Sequence, residues 1–446
     1  MPRPVAVTIS AAELLAPRLE QRIIPGLERV HRVLKAFGCP HERFASVLVV
    51  GTNGKGATAA WLASILCAHG VRTGLYTSPH LVRVEERIRV DGRTIDPADL
   101  ARLVGELAPH PELSYFETLT VAALRHFAAS AVQVAVLEAG LGGRWDAVNA
   151  VTPIVSLLTN VGTDHQGWLG PTRAHIAAEK AAALRGREAI VAAWDAEVEP
   201  AIRAHAEAPP SSVSEWAQVA FLAHGPDLET PSWGARQFVD REAPNLRGGR
   251  RAPLSGSRIA AAVESIQLEA TLPLAGTHQL PNLRLALAGA AALAKHGVVP
   301  GLEHQPLLRG IEGVCWPGRL QWVEHEGRPL LLDGAHNREA TLAVATALAE
   351  MGLGGRIDLL FSCLQDKPLA EMAAILAPRV SRVTVVALAS PRAAPVAELA
   401  AAFPGAAVAA DVAAALAAGD RSRPTLVTGS LYLVGEVLRL TGGLDG

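Results

Sequence analysis

Between Val49 and Trp61 the chain reads VVGTNGKGATAAW. Two β-branched residues close an apolar run, a glycine-bearing loop with one lysine follows, and an alanine-rich stretch of helical character comes next. This order constrains the fold more than any other feature. A strand that runs into a helix through Gly51, Thr52, Asn53, Gly54 and Lys55 is a unit of an α/β fold. Its turn offers backbone N–H groups, the positive helix start and the Lys55 ammonium to an anion such as a triphosphate. The loop departs from G-x-x-x-x-G-K-[ST] at both ends: Val49 takes the first glycine's place and Gly56 that of the magnesium-holding hydroxyl. The next residue is Ala57, so the usual magnesium position carries no hydroxyl. Taken alone, the stretch also reads as a tight strand–helix turn that merely uses glycine.

The rest of the chain extends the α/β pattern. Leu27, Val30, Leu34 and Phe37 recur at helical spacing before Gly38 and Pro40. Buried-type strands are expected at 46–50, 72–77, 132–140, 154–160 and 189–193, with a helix from about Ala57 to His69. Strands separated by helical stretches predict a mostly parallel sheet. From about Glu207 to Ser257 the texture turns rich in Pro, Gly, Ser and Arg, which reads as an irregular excursion with short strands. Its cluster Arg247, Arg250 and Arg251 reads as a solvated loop, with anion binding as the sharper alternative. A second βα series follows WPGR (316–319): a hairpin turning at Glu326 and Gly327, then strands within 356–364, 382–389 and 425–429. The hinge between the two series is expected near Gly313, dividing the chain into 1–313 and 314–446.

Bulk properties narrow the function. A length of 446 residues gives a prior of roughly two to three domains. The formal net charge of −2 points to no nucleic acid or anionic membrane as the main partner. Cys39, Cys67, Cys315 and Cys363 are far apart, which argues against a disulfide framework or zinc site and fits a reducing cytoplasm. The start MPRPVAVTIS lacks a long apolar core, so no secretory signal is expected. The longest apolar candidate, Leu283 to Val299, is interrupted by Arg284 and Lys295, short of the roughly 20 residues of a membrane span.

Polar residues collect just past the apolar strands: Ser78 and His80 after one, Glu138, Asp146 and Asn149 after another, Asp164 and His165 after a third. Ligands of open parallel sheets bind at such strand ends. One such residue is a cap or a satisfied core group; a hydroxyl, a carboxylate and an imidazole together suggest a shared cation site. Mg²⁺ takes oxygen ligands with waters and phosphate oxygens, so this set is workable. Lys180, in AHIAAEKAA, reads on its own as a solvated helix lysine paired with a glutamate.

Joined in order, GTNGKG, SPHLVRVEERIRV, YFE, LEAGLGGRWDAVN, TDHQGWLG, EKA, WPGRLQ, DGAHN and TGSLY resemble the bacterial dihydrofolate synthase/folylpolyglutamate synthase family, related to the Mur peptidoglycan ligases. The matches run from about Leu27 to Leu438. The resemblance implies an N-terminal ATPase domain with a phosphate loop and mostly parallel sheet, plus a smaller C-terminal Rossmann-like α/β domain. It implies ATP-dependent joining of L-glutamate to a pteroate-type carboxylate through an acyl phosphate. ATP, two Mg²⁺ and K⁺ as a further ion are the expected cofactors, small molecules the only partners, and a cytoplasmic monomer the expected state.

Residue by residue, the resemblance assigns Gly51, Thr52, Asn53, Gly54, Lys55, Gly56 and Ala57 to the phosphate loop. It assigns Ser78, Glu138 and His165 to a second magnesium and Lys180 to a lysine carbamylated in the family. Asn282 resembles an adenine contact, Arg319 a phosphate-binding arginine, and Asp333 and His336 ribose and phosphate contacts. Lys55, Glu138, His165, Lys180 and Arg319 form the catalytic set, and Phe116, Asp146 and Ala147 lie where the pterin substrate is expected. Departures from the family pattern are Ala57 for Ser or Thr, Val148 for Thr, Arg338 for Pro, EKAAALR without its glycine, and SCLQDKP as a loose match. Two rival readings keep the fold: a Mur-like ligase acting on another acid, which SPHL and YFE disfavour, and a nucleotide-binding homologue without ligase activity, motivated by Ala57.

Overall fold

The computed structural model describes residues 10–18, 24–223 and 257–442. The chain divides into two compact units, one of Met1–Val219, Ala261–Leu268 and Pro281–Gly313, the other of Ala220–Ala260, Glu269–Leu280 and Val314–Gly446. Eight strands build the first unit's sheet: β1 Ala45–Val50, β2 Thr73–Tyr76, β3 Ile88–Val90, β4 Arg93–Thr94, β5 Val134–Glu138, β6 Val155–Leu158, β7 Glu188–Val191 and β8 Pro210–Ser212. Their order is β4-β3-β2-β5-β1-β6-β7-β8. β2 through β8 run parallel, and β3 and β4 add an antiparallel edge. β1, β5 and β6 are continuous runs of Val, Leu, Ala and Ser up to Glu138 at the end of β5, buried throughout apart from Ala45, as strands covered on both faces must be. Val47 lies opposite Val136 on one side and Val155 on the other. Because β2, β5, β1 and β6 are parallel neighbours, their carboxyl ends share one edge, and the candidate site residues follow them there.

The helix Lys55–Ala68 leads from β1 towards β2 and is apolar nearly all round, as a fully covered helix is. The helix His304–Glu312 lies against it, backbone to backbone, at Gly310. A Cβ at Gly310 would fall 2.6 Å from Ile65 Cα. The Ser64 hydroxyl donates to the Gly310 carbonyl at 2.7 Å and the Trp61 indole N–H to that of Ile311 at 3.3 Å.

A three-stranded sheet, order β11-β10-β9, is formed by β9 Ala217–Ala223, β10 Ser257–Val263 and β11 Ile266–Leu272. Its last two strands were not expected from sequence; Arg247, Arg250 and Arg251 lie outside the described residues. The second unit's sheet comprises β12 Gln321–His325, β13 Arg328–Leu332, β14 Asp358–Phe361, β15 Val383–Val386, β16 Ala407–Ala409 and β17 Thr425–Thr428, in the order β12-β13-β17-β14-β15-β16. Only β12 and β13 pair antiparallel. Their turn uses Glu326 at φ 50° and Gly327 at φ 78°, the left-handed pair of a two-residue hairpin. Phe361 and Phe403, with ring centroids 5.0 Å apart, are the large residues of this unit's core. The apolar run Leu283–Val299 supplies most of the helix Gln279–Lys295, and no helix among the described residues is long and apolar enough to cross a membrane.

Gly310→Ala tests the close helix pair by its sign. In an uncrowded helix the change stabilises by about 1 kcal/mol. Here the added methyl meets the Ile65 backbone, and overpacking of that kind costs about 1–3 kcal/mol. The expected result is a lower urea-unfolding midpoint; an equal or higher one would show that the helices have room.

Candidate active site

The loop after β1 takes its shape from two glycines. Gly51 has φ 146° and Gly54 φ 82°. A Cβ on Gly51 would lie 1.9 Å from Thr159 Oγ1, and one on Gly54 2.2 Å from Asn282 Oδ1. Gly54 caps the helix Lys55–Ala68 without any side-chain hydrogen bond, and the Thr58 N–H makes the first bond back, to the Gly54 carbonyl at 2.9 Å. The N–H groups of Gly54, Lys55, Gly56 and Ala57 therefore have no acceptor within the helix, and such a terminus receives anions. Lys55 Nζ donates to the Thr52 carbonyl at 3.1 Å. Ala57 is buried, and Thr58 is fully buried with a hydroxyl that has no hydrogen-bond partner. No side-chain hydroxyl of the first helical turn is thus presented to the anion position.

Glu138 ends β5 and is buried; its Oε2 accepts the Ser78 N–H at 3.0 Å, which joins the ends of neighbouring strands β5 and β2. His165 lies on the loop after β6, with φ 58° and an exposed ring. Its main-chain N–H donates to Asp164 Oδ1 at 2.9 Å, and its Nε2 is 3.8 Å from Asp164 Oδ2. Ser78 and Glu138 are thus brought together, with β1 standing between them and the His165 loop. Among the described residues no group of three or more His, Cys, Asp or Glu side chains could hold a metal ion. One carboxylate, one hydroxyl and one imidazole fit an ion that keeps waters and phosphate oxygens in its shell better than an all-protein cage.

Lys180 is no surface lysine. It belongs to the helix Arg173–Ala181, is 3% exposed, and donates from Nζ to the Gly51 carbonyl at 2.8 Å. Burial, then the nearby Lys55 charge, pull its pKa down to about 7, against Asp164 and Asp146. Gly143 lets the loop after β5 approach this helix: a Cβ there would stand 2.9 Å from the carbonyls of Glu179 and Lys180. Arg144 Nε meets Glu179 Oε1 at 2.9 Å.

Asp146 is buried, and burial pushes its pKa up to about 6 although Lys55 and backbone N–H groups oppose the shift. It accepts from Leu141 N–H at 2.8 Å and Val148 N–H at 3.1 Å, and Ala147 behind it is buried. Phe116 lies over Gly140, where a Cβ would be 2.9 Å from its ring, and its centroid is 5.7 Å from that of Tyr76.

In the second unit Arg319 precedes β12, and Asp333 and His336 follow its partner strand β13. Both Asp333 oxygens are already occupied by main-chain donors, Leu320 N–H at 3.0 Å and Ala335 N–H at 2.8 Å. Its first task is to tie the segment before β12 to the segment after β13. Arg319 Nη1 donates to the Gly318 carbonyl at 3.2 Å and would be 2.5 Å from a Cβ on Gly334. His336 Nδ1 is 2.8 Å from the Gly334 carbonyl. Buried His278, whose pKa burial lowers, feels both Asp333 and Arg319; sequence reasoning passed over it within HQLPN. Thr159 and Asn160 were likewise absorbed into an expected strand, whereas β6 stops at Leu158 and both turn onto the phosphate loop. Two polar residues ending an apolar run were the available signal.

Comparison with known proteins agrees with this arrangement. The Mur ligase middle domain matches residues 49–290, and the Mur ligase glutamate ligase domain matches residues 318–431. The folylpolyglutamate synthase of Lacticaseibacillus casei is 32% identical over 431 residues, 93% of this chain and 94% of that protein. The probable bifunctional folylpolyglutamate synthase/dihydropteroate synthase of Haloferax volcanii is 34% identical over 431 residues; these cover 93% of this chain but 48% of that relative, about half its length. The crystal structure of bifunctional folylpolyglutamate synthase/dihydrofolate synthase from Yersinia pestis, complexed with AMPPNP and Mn ion, superposes with a TM-score of 0.78 at 29% identity, covering 97% of this chain and 98% of that one. The chain therefore belongs to the dihydrofolate synthase/folylpolyglutamate synthase family of Mur-type, ATP-dependent ligases.

Proposed function

We propose that this chain joins L-glutamate to dihydropteroate and to reduced folates, giving dihydrofolate and folylpolyglutamates. The observation that carries the reading is the uncapped helix start at Gly54, with Lys55 beside it and the Ser78–Glu138 pair on the same sheet edge. An acceptor carboxylate oxygen attacks the γ-phosphorus of ATP, the bond to the β-phosphate oxygen breaks, and ADP leaves. The glutamate amine then attacks the acyl carbon, the bond from that carbon to the phosphate oxygen breaks, inorganic phosphate leaves, and the amide forms as the nitrogen loses a proton. The chain's part is positioning and charge neutralisation at the transferring group.

The roles are those the family resemblance implies, set on the geometry above. The N–H groups of Gly54 to Ala57 and the Lys55 ammonium hold the β- and γ-phosphates, with Gly51, Thr52 and Asn53 shaping the turn. Asn282, which abuts Gly54, takes the adenine side. Ser78, Glu138 and His165 hold Mg²⁺, which when bound neutralises phosphate charge. Arg319 and His336 serve phosphate, and Asp333 keeps the ribose-side turn in place. Phe116, packed on Gly140 near Tyr76, gives a flat ring a wall, and Asp146 with Ala147 borders it. With a pKa near 7, a large share of Lys180 is a neutral amine at neutral pH. That is the form that adds CO₂; the new N–C bond forms, a proton leaves, and the remaining N–H can keep its bond to Gly51. The reading extends to two Mg²⁺ ions with K⁺ as accessory, to division of the chain near Gly313, and to a monomer in the cytoplasm.

Three outcomes are expected. ADP release should need both a pteroate-type acid and L-glutamate, with a product heavier by one glutamyl residue; ADP formed with a peptidoglycan precursor and with no folate would replace the acceptor assignment.

Lys180→Ala should abolish turnover, with partial rescue by short carboxylates. Stability supplies a second test. The folded pKa lies below the ordinary lysine value of 10.5, so between about pH 7 and 10.5 the unfolded chain binds the extra proton and stability rises with pH. The cost is complete below that window. In CO₂-free buffer Lys180→Met should be more stable than the parent by a few kcal/mol near pH 7, with the gap closing towards pH 10. A gap independent of pH would mean that Lys180 is not buried as a titrating amine.

Thr58→Val removes a buried hydroxyl that has no partner, so unfolding should be unchanged or harder by about 1 kcal/mol, with the Mg·ATP requirement unaffected. Ala57→Ser should leave that requirement equal or improve it. Loss of activity in Thr58→Val with no effect of Ala57→Ser would mean that the first turn shifts to bring Thr58 to the metal.

A further inference from the structure

Asn160 makes an unusual match to the phosphate loop. Its Oδ1 accepts the Asn53 N–H at 3.0 Å while its Nδ2 donates to the Asn53 carbonyl at 3.1 Å. One side-chain amide thus engages both polar groups of one residue, as a neighbouring β-strand would. The Asn160 carbonyl also accepts the Thr52 N–H at 3.0 Å. Thr159 adds its hydroxyl, which donates to the same Asn53 carbonyl at 2.6 Å, and Gly162 N–H donates to Thr52 Oγ1 at 2.9 Å.

We propose that Asn160 and Thr159 are positioning residues that aim the phosphate loop. The reason is stereochemical. A trans peptide holds its C=O and the following N–H in opposite directions. Two donors draw the Asn53 carbonyl towards the end of β6, so the Gly54 N–H must point the other way, to the side that receives the anion. Without them that carbonyl is free to turn its oxygen onto the phosphates, replacing attraction by repulsion. Only an amide of this length fits: aspartate would offer an acceptor to an acceptor at the Asn53 carbonyl, and serine or alanine could not reach both groups. The same segment carries Asp164 and His165, so the clamp also fixes the spacing between the phosphate loop and the loop of the expected metal ligand.

This rests on the reading of the site as a Mg·ATP site, and the test separates the two. Binding of Mg·AMPPNP to the full chain is measured by calorimetry for the parent, Asn160→Ala, Thr159→Ala and Thr159→Ser, together with unfolding midpoints and the KM for L-glutamate. Loss of the amide pair should weaken nucleotide binding about 10-fold or more, with the glutamate KM within about twofold. Thr159→Ala should weaken it by a few fold and Thr159→Ser, which keeps the hydroxyl, should restore it. The Thr159 pair decides the matter if Asn160→Ala does not fold. Parent protein that binds Mg·AMPPNP beside Asn160→Ala and Thr159→Ala variants that bind it equally overturns the clamp alone. Losses for nucleotide and glutamate that run in step with the unfolding midpoint overturn it too, since they report only structural damage. Failure of the parent to bind Mg·AMPPNP overturns both the clamp and the site reading.

Discussion

A loop that is to receive an anion must show it amide hydrogens and hide its carbonyl oxygens, and three consecutive carbonyls here are each held by a side-chain donor. Lys180 holds that of Gly51, Lys55 that of Thr52, and Thr159 with Asn160 that of Asn53. The rest of the first unit serves this arrangement. The donors come from the helix that starts at Lys55, the helix Arg173–Ala181 and the end of β6, and only parallel neighbours β1 and β6 bring the last of these to the loop. The two glycines are needed because Thr159 Oγ1 and Asn282 Oδ1 already fill the space their side chains would take. Gly310 lets a second helix brace the first at backbone distance.

The same arrangement concentrates charge. Burial, then the Lys55 charge, lowers the Lys180 pKa, while Asp164 and Asp146 oppose that and lose. For Asp146 burial outweighs the Lys55 charge and the backbone N–H groups of Leu141, Val148 and Gly140, so its pKa rises to about 6. For Lys180 it yields an amine poised around neutral pH. Neither result could come from a solvated surface, where a neighbouring charge is screened and desolvation is absent. The burial that lowers the Lys180 pKa thus lies at the same sheet edge as the loop's unpaired helix N–H groups.

Much of this was legible in the sequence because it is written in local runs. The central strands of both sheets announce themselves as short apolar stretches, while the edge strands β8 and β16 do not, and Glu326–Gly327 is a hairpin turn by residue type alone. Strands β3 and β4 were missed since IRV and RT are only three and two residues long, each with an arginine, and give no apolar run. In the site, Gly51 to Lys55, Glu138 and Asp146 were found by their place after strands. Lys180 read as a solvated residue until the family resemblance intervened, for helical periodicity does not say which face is buried. What Asp333 and Asn160 bind, rather than their presence at the site, was opaque for a deeper reason. Their partners are main-chain groups: Leu320 N–H and Ala335 N–H for one, both polar groups of Asn53 for the other. Main-chain partners leave no trace in residue identity.

The missing hydroxyl at Ala57 can now be placed in this picture. The helix starts in ordinary register, since the Thr58 N–H reaches the Gly54 carbonyl, so Gly56 and Ala57, where a magnesium-holding hydroxyl was expected, both stay in the first turn. Residue 58 is turned about 100° away and is fully buried with its hydroxyl unpaired. To bring it round would mean unwinding the turn whose N–H groups define the anion site, and it would break the tie from Thr58 to Gly54. Conceding one neutral oxygen costs far less, because water supplies the same donor atom to an ion that keeps several waters by preference. Loop geometry, held by the three carbonyl tethers, is the quantity the fold preserves; a ligand that solvent can replace is the one it lets go.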